Sequence, residues 1–145
     1  MKFTQLWKGS QDGFGAATFH SKCNNKGPTL TVIKSNNDKI FGGYTSEPWR
    51  SRDSWGADSN AFIFSLTHKM KSKTGDSSSS IYDDSRYGPR FGGGYDIIIH
   101  DNCNTANNSC TPSTYALPPG ANNTFLAGSQ NFTVKEIEVY AVIKI

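Results

Sequence analysis

Two histidine–cysteine pairs with the same spacing, His20-x-x-Cys23 and His100-x-x-Cys103, are the residues of this chain best suited to chemistry. Four nitrogen and sulfur ligands would complete a tetrahedral zinc site if the pairs met. The competing reading puts His20 and Cys23 on the packing face of a helix and Cys103 in a loop, and spacing alone assigns no metal. A thiol attacks only as the thiolate, which nearby positive charge favours. Lys22 and Lys26 flank Cys23, so Cys23 and then Cys103 are the reactive-thiol candidates. Glu136 and Glu138 lie two apart in a strand-like run and share a face, as paired carboxylates must. Acids on the outer face of an amphipathic strand are ordinary, however, and no Ser/His/Asp set or nucleophile elbow accompanies them. Gly92-Gly93-Gly94 leads into a strand, whereas a phosphate loop opens a helix. Trp49 and Trp55, in one polar loop, are the residues a sugar-binding β-sandwich would use.

The whole composition narrows the field further. The chain has 145 residues, and a domain of that size buries roughly 68–70% of its unfolded surface without help from disulfides. Aromatic residues make up 12%, glycine is plentiful, and no long 3.6-residue periodicity runs through the sequence, which points to a mainly β (α+β) fold. Net charge is +3 from 15 basic and 12 acidic residues, and the basic ones are scattered except for Lys69, Lys71 and Lys73. A nucleic-acid surface would show a basic stripe with interleaved aromatics, so nucleic acid is not expected as a partner. No apolar run reaches the ~18 residues of a membrane span, and no signal-peptide core follows Met1. Cys23, Cys103 and Cys110 are an odd count without framework spacing, which fits a reducing, cytoplasmic setting. The three glycosylation-type triplets, beginning at Asn107, Asn122 and Asn131, are read as chance in so Asn-rich a chain.

The elements that must position these residues follow from periodicity. Thr29, Thr31 and Ile33 alternate with Leu30, Val32 and Lys34; Ser35-Asn36-Asn37-Asp38 turns the chain, and Lys39 to Tyr44 returns as a second strand. Gly42-Gly43 marks a bulge or a close backbone approach. Phe3 to Lys8 is an edge strand anchored by Phe3 and Trp7. A helix capped by Asp12 brings Ala16, Phe19, His20 and Cys23 to one face. Ala61 to His68 is apolar on both faces, as a central covered strand would be. Lys69 to Ser80 reads as a mobile polar loop, Asp96 to His100 as a buried strand, and the region of Tyr115 as a short strand. Phe132 to Ile145 closes the chain as a long strand, with Ile137, Val139, Ala141, Ile143 and Ile145 facing one way.

Several blocks taken in order, KGSQDGFGAATFHSKCNNKGPTLTVIKS, IFGGYTSEPW, NAFIFSL, GPRFGGGYDIII and FTVKEIEVYAV, resemble the TLDc domain of oxidation-resistance proteins from Trp7 to Val142. The resemblance implies a sandwich of two antiparallel sheets with one or two short flanking helices. It also implies a role in protection against oxidative stress, and several members bind the vacuolar proton pump (V-ATPase) and regulate its assembly. Glu136 and Glu138 match an acidic closing block suspected of functional importance in the family, and Gly42, Gly43 and Tyr44 match its glycine-tyrosine block. The chain departs from the family in the Asn-rich stretch from Cys103 to Asn123 and in the Ser-rich loop, so pump contacts that depend on those loops are not carried over.

Residues and resemblance together describe residues 1–145 as one TLDc-like domain: a monomeric, cytoplasmic, non-enzymatic protein-interaction module without cofactor or membrane insertion, with V-ATPase subunits as partner. Its interaction candidates are Glu47, Trp49, Trp55, Glu136 and Glu138. The alternatives are a thiol-based peroxide-consuming antioxidant using Cys23 or Cys103, and a sugar-binding β-sandwich using Trp49 and Trp55.

Overall fold

The computed structural model describes residues 1–144. In chain order its elements are β1 (Lys2–Lys8), the single-turn helix α1 (Gly9–Asp12), α2 (Ala16–Cys23), β2 (Thr29–Ser35), β3 (Ile40–Thr45), β4 (Ser54–Gly56), β5 (Phe62–Ser65), β6 (Met70–Lys73), a 3-10 turn at Ser77–Ser79, β7 (Ile81–Asp83), β8 (Arg90–Phe91), β9 (Ile97–Ile98), β10 (Asn108–Ser109), β11 (Asn131–Phe132) and β12 (Val134–Ile143). The strands build two antiparallel sheets, ordered β1-β12-β2-β3-β5-β6 and β11-β10-β9-β8-β7-β4. This is the expected β-sandwich, and its core lies between the sheets.

The β2–β3 hairpin forms as its sequence dictates. Thr29, Thr31, Ile33 and Ser35 point into the core, and Leu30, Val32 and Lys34 point outward. The turn manages without glycine because Asp38 adopts φ 62°. Its amide donates to the Ser35 carbonyl at 2.9 Å, and the Asn37 amide donates to Ser35 Oγ at 3.1 Å. Register runs unbroken through Gly42 and Gly43, so the pair is a close approach and not a bulge. The glycines leave room for one ring on each face of the sheet. A Cβ on Gly43 would come within 2.6 Å of the Phe91 ring inside the sandwich, and one on Gly42 would collide with the Thr31 backbone carbonyl and come within 3.0 Å of Phe64 outside it.

The helical segment differs from its sequence expectation at the first turn. Gly13 takes φ 105° and ends α1, so the chain breaks before α2 begins. Asp12 does not cap α2; its carboxylate accepts the Lys8 amide at 2.9 Å. The α2 cap arrives from far along the chain, where Asp101 Oδ1 accepts the Ala16 amide at 2.8 Å. The expected packing face is kept, with Ala16, Phe19, His20 and Cys23 all buried. It completes a run of aromatic contacts from Trp7 through Phe19 and Trp49 to Phe91, with centroid separations of 5.4, 5.4 and 5.9 Å. Trp7 locks the helix break from below by donating its indole N–H to the Gly13 carbonyl at 2.8 Å.

Other expectations shift for identifiable reasons. Phe3 is on the edge strand as expected but is exposed, and Trp7 alone anchors that strand. Lys69 to Ser80 is not a loose loop: β6 pairs with β5 along its length, and Asp76 caps the following 3-10 turn by accepting the Ser78 amide. Backbone pairing orders this polar stretch, and edge lysines are the usual defence of an open strand. The strand expected from Asp96 to His100 shortens to Ile97–Ile98, and near Tyr115 only an isolated bridge to Thr74 forms. In β12 the alternation of Ile137, Val139 and Ala141 is inward as expected, but Ile143 is exposed and Ile145 lies outside the described residues.

The glycine pair yields a direct test. Gly43→Ala overpacks the ring of Phe91 and is expected to cost about 1–3 kcal/mol, read as a lowered urea midpoint with unchanged slope.

Candidate interaction surface

The loop from Ser46 to Asp53 carries two of the candidate residues, Glu47 and Trp49, and joins the two sheets. Its fold is written around one carboxylate. Asp83, at the end of β7 and fully buried, accepts the amides of Arg50 at 2.9 Å and Ser51 at 3.1 Å. It also accepts Arg52 Nε at 2.9 Å, while Arg52 Nη2 donates to the Pro48 carbonyl at 2.6 Å. These bonds hold Ser51 and Asp53 at φ 56° and 54°, a left-handed backbone that needs such support. The same anchoring drives Trp49 into the core at 0% exposure, where its indole N–H donates to Thr29 Oγ1 at 3.0 Å. Trp49 is therefore a core residue and not a contact residue, and it cannot join Trp55 in stacking on a sugar. Trp55, on edge strand β4, is 41% exposed against the edge of Tyr82. Glu47 is partly exposed and faces Arg52 Nη1 at 3.6 Å.

Glu136 and Glu138 do share the outward side of β12, but each already has a structural partner. Glu136 Oε1 accepts the Ser10 amide at 3.1 Å and Glu136 Oε2 accepts the Ser10 hydroxyl, so this acid fastens the first turn of α1. Glu138 accepts the Tyr140 hydroxyl at 2.7 Å and lies 3.9 Å from Lys8 Nζ. The two acids thus tie β1 and α1 to the sheet.

The thiols sit where a reactive cysteine would not. Cys23, Cys103 and Cys110 are free and fully buried. Burial pushes the Cys23 thiol up to about 12, with Lys22 and Lys26 offsetting only part of it. Burial likewise pushes Cys103 up to about 12 and raises Cys110. The histidines are engaged elsewhere. His20 Nε2–H donates to the carbonyls of Asp84 and Tyr87, both at 2.9 Å; carbonyls only accept, which fixes the proton on Nε2. His100 stacks edge-on to Tyr87, and burial followed by the Arg90 charge lowers its pKa. Among the described residues no three His, Cys, Asp or Glu side chains are grouped to hold a metal ion.

The surface that sequence reading missed is the outer face of the first sheet. β5 was expected to be covered on both sides because Phe62, Phe64 and Leu66 alternate with Ala61, Ile63 and Ser65. It does lie inside the sheet, between β3 and β6; on its outward side Phe64 is buried and Phe62 half-buried, while Leu66, just beyond the strand, is 58% exposed. A groove of about 400 Å³ runs past Leu30, Val32, Phe62, Leu66 and Met70. A neighbouring one of about 980 Å³ continues by Phe3, Tyr44 and Val142. Both include Leu30, Phe62 and Lys71, so they form one continuous surface. Its charged residues are Lys26, Lys69, Lys71 and Lys144, and no acid lines either groove. Lys71 Nζ rests 4.3 Å above the Phe62 ring, which stacks on Tyr44 at 5.1 Å. The available sequence signal was a two-sided apolar strand followed directly by Lys69, Lys71 and Lys73.

Two measurements test these assignments. Asp83→Asn breaks a buried ion pair and weakens the loop's acceptor, with an expected loss of about 3 kcal/mol in chemical denaturation. The thiols make stability fall in alkali. Their folded pKa values lie above the ordinary 9.0, so the contribution is complete below pH 9 and is lost as pH rises through about 12. Denaturation midpoints should drop across that window, Cys103→Ala should flatten the drop, and a thiol reagent should modify the native protein far more slowly than the urea-unfolded chain.

Comparison with known proteins agrees with the sandwich. The chain is 26% identical over 129 residues to MTOR-associated protein MEAK7 of Xenopus laevis, covering 81% of this chain and 27% of that protein. It is 25% identical over 130 residues to MTOR-associated protein MEAK7 of Gallus gallus, covering 81% and 26%. A shorter stretch of 51 residues is 43% identical to interferon-induced protein 44 of Pan troglodytes, covering 35% of this chain and 11% of that protein. The chain thus spans about a quarter of the length of the MEAK7 proteins it matches along most of its own length. Residues 1–143 match the family model described as the TLDc domain, and with its two antiparallel sheets the chain belongs to the TLDc domain family.

Proposed function

We propose that this chain is a non-enzymatic, regulatory protein-interaction module of the cytoplasm, acting in oxidative-stress resistance with the vacuolar proton pump (V-ATPase) as its partner. The observation that carries the binding role is the part-exposed apolar groove on the outer face of the first sheet. Leu30, Phe62 and Leu66 present apolar area there within a rim of lysines. An apolar surface of this extent in water is a contact surface waiting for a partner. Its occupant is an amphipathic segment with an apolar stripe for the sheet and Asp or Glu residues flanking it for the lysines. Membership of the TLDc family supports the partner, since several members regulate pump assembly. The association with mTOR in the name of the MEAK7 relatives gives the second partner to seek in the same experiment. Glu47 and Trp55 remain accessible for contacts at the far edge of the second sheet, whereas Glu136 and Glu138 act through the helix and strand they hold.

The test is capture from cell lysate on the immobilised chain, with the bound proteins identified by mass spectrometry. Pump subunits are expected on the wild-type protein, and recovery should fall by about tenfold or more for Leu66→Asp and Lys71→Glu. Both are surface changes, so unfolding should move within about 0.5 kcal/mol. Recovery of no pump subunit overturns the partner, and equal recovery by the variants overturns the surface.

A further inference from the structure

On the second sheet one buried cation is left without a salt bridge among the described residues. Arg90, on β8, is only 7% exposed. Its guanidinium carbon lies 4.5 Å from the ring centroids of Tyr82 and Tyr87 and 5.2 Å from that of Tyr95. The nearby carboxylates are already engaged: Asp83 pairs with Arg52 at 2.9 Å and Asp84 with Arg86 at 2.7 Å. Among the described residues Arg90 itself has no ion pair and no side-chain hydrogen bond. Aromatic faces balance part of its charge, but they leave its fork of N–H donors without acceptors, a costly state for so buried a group. None of its nitrogens is both sealed from solvent and unpaired, so the fork still reaches the surface. Two exposed aromatics border the cluster: Tyr95 itself, and Trp55, whose ring centroid is 4.7 Å from that of Tyr82.

We propose that Arg90 and its three tyrosines form a binding pocket for a side-chain carboxylate of an acidic peptide segment in a partner protein. A guanidinium fork matches a planar carboxylate with two parallel hydrogen bonds. Local charge selects the ligand. Arg52 is met by Asp83 and Glu47 and Arg86 by Asp84, which leaves Arg90 as the guanidinium of this group without a salt bridge; a carboxylate matches its single charge, and a phosphomonoester, at about −1.5 to −2, exceeds it. Flanking aromatics with a central arginine are the residue types that dominate protein-binding surfaces. The pocket lies on the opposite sheet from the lysine-rimmed face. It names a second contact for the protein-binding role and rests on that reading.

The test is a titration of the purified chain, followed by NMR at the Arg90 Nε–Hε resonance at physiological ionic strength. The probes are a capped hexaglutamate peptide, its hexaglutamine counterpart and inorganic phosphate. Hexaglutamate is expected to shift the resonance saturably, with no comparable response to hexaglutamine or phosphate. Affinity, read by isothermal titration calorimetry because these variants lack the Arg90 resonance, should fall about tenfold or more in Arg90→Gln and also in Arg90→Lys, which keeps the charge but loses the fork. Tyr95→Ala removes an exposed wall and should weaken binding with the fold intact; it decides the matter if Arg90→Gln does not fold. Lys71→Glu, which disables the first-sheet surface, should leave the Arg90 response unchanged, so failure of lysate capture and failure of this pocket are separate results. No shift with hexaglutamate, equal binding to Arg90→Gln, or tighter binding of phosphate overturns the proposal.

Discussion

The carboxylate of Asp83 holds the crossover between the two sheets, and much of the structure depends on that one anchoring. It collects the amides of Arg50 and Ser51 and the side chain of Arg52, groups that would otherwise be partly desolvated without acceptors. Satisfying them fixes a loop whose backbone at Ser51 and Asp53 is left-handed. The loop in turn places the largest side chain of the region, Trp49, between Phe19 of α2 and Phe91 of the second sheet. Helix, hairpin and second sheet therefore meet at one indole. Charged residues that look like surface chemistry here serve burial: an ion pair with 0% side-chain exposure on the acid is tolerable only because its remaining lone pairs are used.

The same logic separates the two outer faces of the sandwich. The first sheet spends its inward residues on the core and still carries apolar side chains outward, so its lysine-rimmed face has a hydrophobic reason to associate. The second sheet is poorer in exposed apolar area and richer in paired charge, with arginines set among tyrosines and aspartates. The proposed occupants differ accordingly, an apolar stripe flanked by acids for one face and a single carboxylate for the other. A regulatory module that meets a large assembly gains specificity from such dissimilar contacts, because a wrong partner must fail at only one of them.

Several chemical readings of the sequence fail through burial. Lys22 and Lys26 do flank Cys23, yet charge at the surface lowers a thiol pKa less than loss of water raises it, and Cys23 ends far from the reactive range. The His-x-x-Cys pairs are equivalent in spacing but not in environment: His20 closes a hydrogen-bond network with Asp84, Tyr87 and Ser51, while His100 stacks on the second sheet. Spacing reports what side chains are available, and the surrounding dielectric and partners decide which of them can act.

The sequence's own patterns determined the mainly β class, the hairpin with its glycine-free turn, the buried face of α2 and the inward alternation of Ile137, Val139 and Ala141, while the sandwich was implied by the resemblance. These depend on period-two and 3.6-residue patterns and on local turn chemistry, which act between near neighbours. Its blocks also carried the family. Only the tertiary structure decided the rest. Asp101 rather than Asp12 caps α2, and Trp49 is core while Trp55 is surface. The two-sided apolar strand β5 borders a part-exposed groove on its outward side, and Arg90 finds three tyrosines and no salt bridge. Each of these is a meeting between residues remote in the chain. Whether a side chain is covered, paired or left reaching outward depends on what long-range packing brings against it, and alternation along a strand states only which way it points.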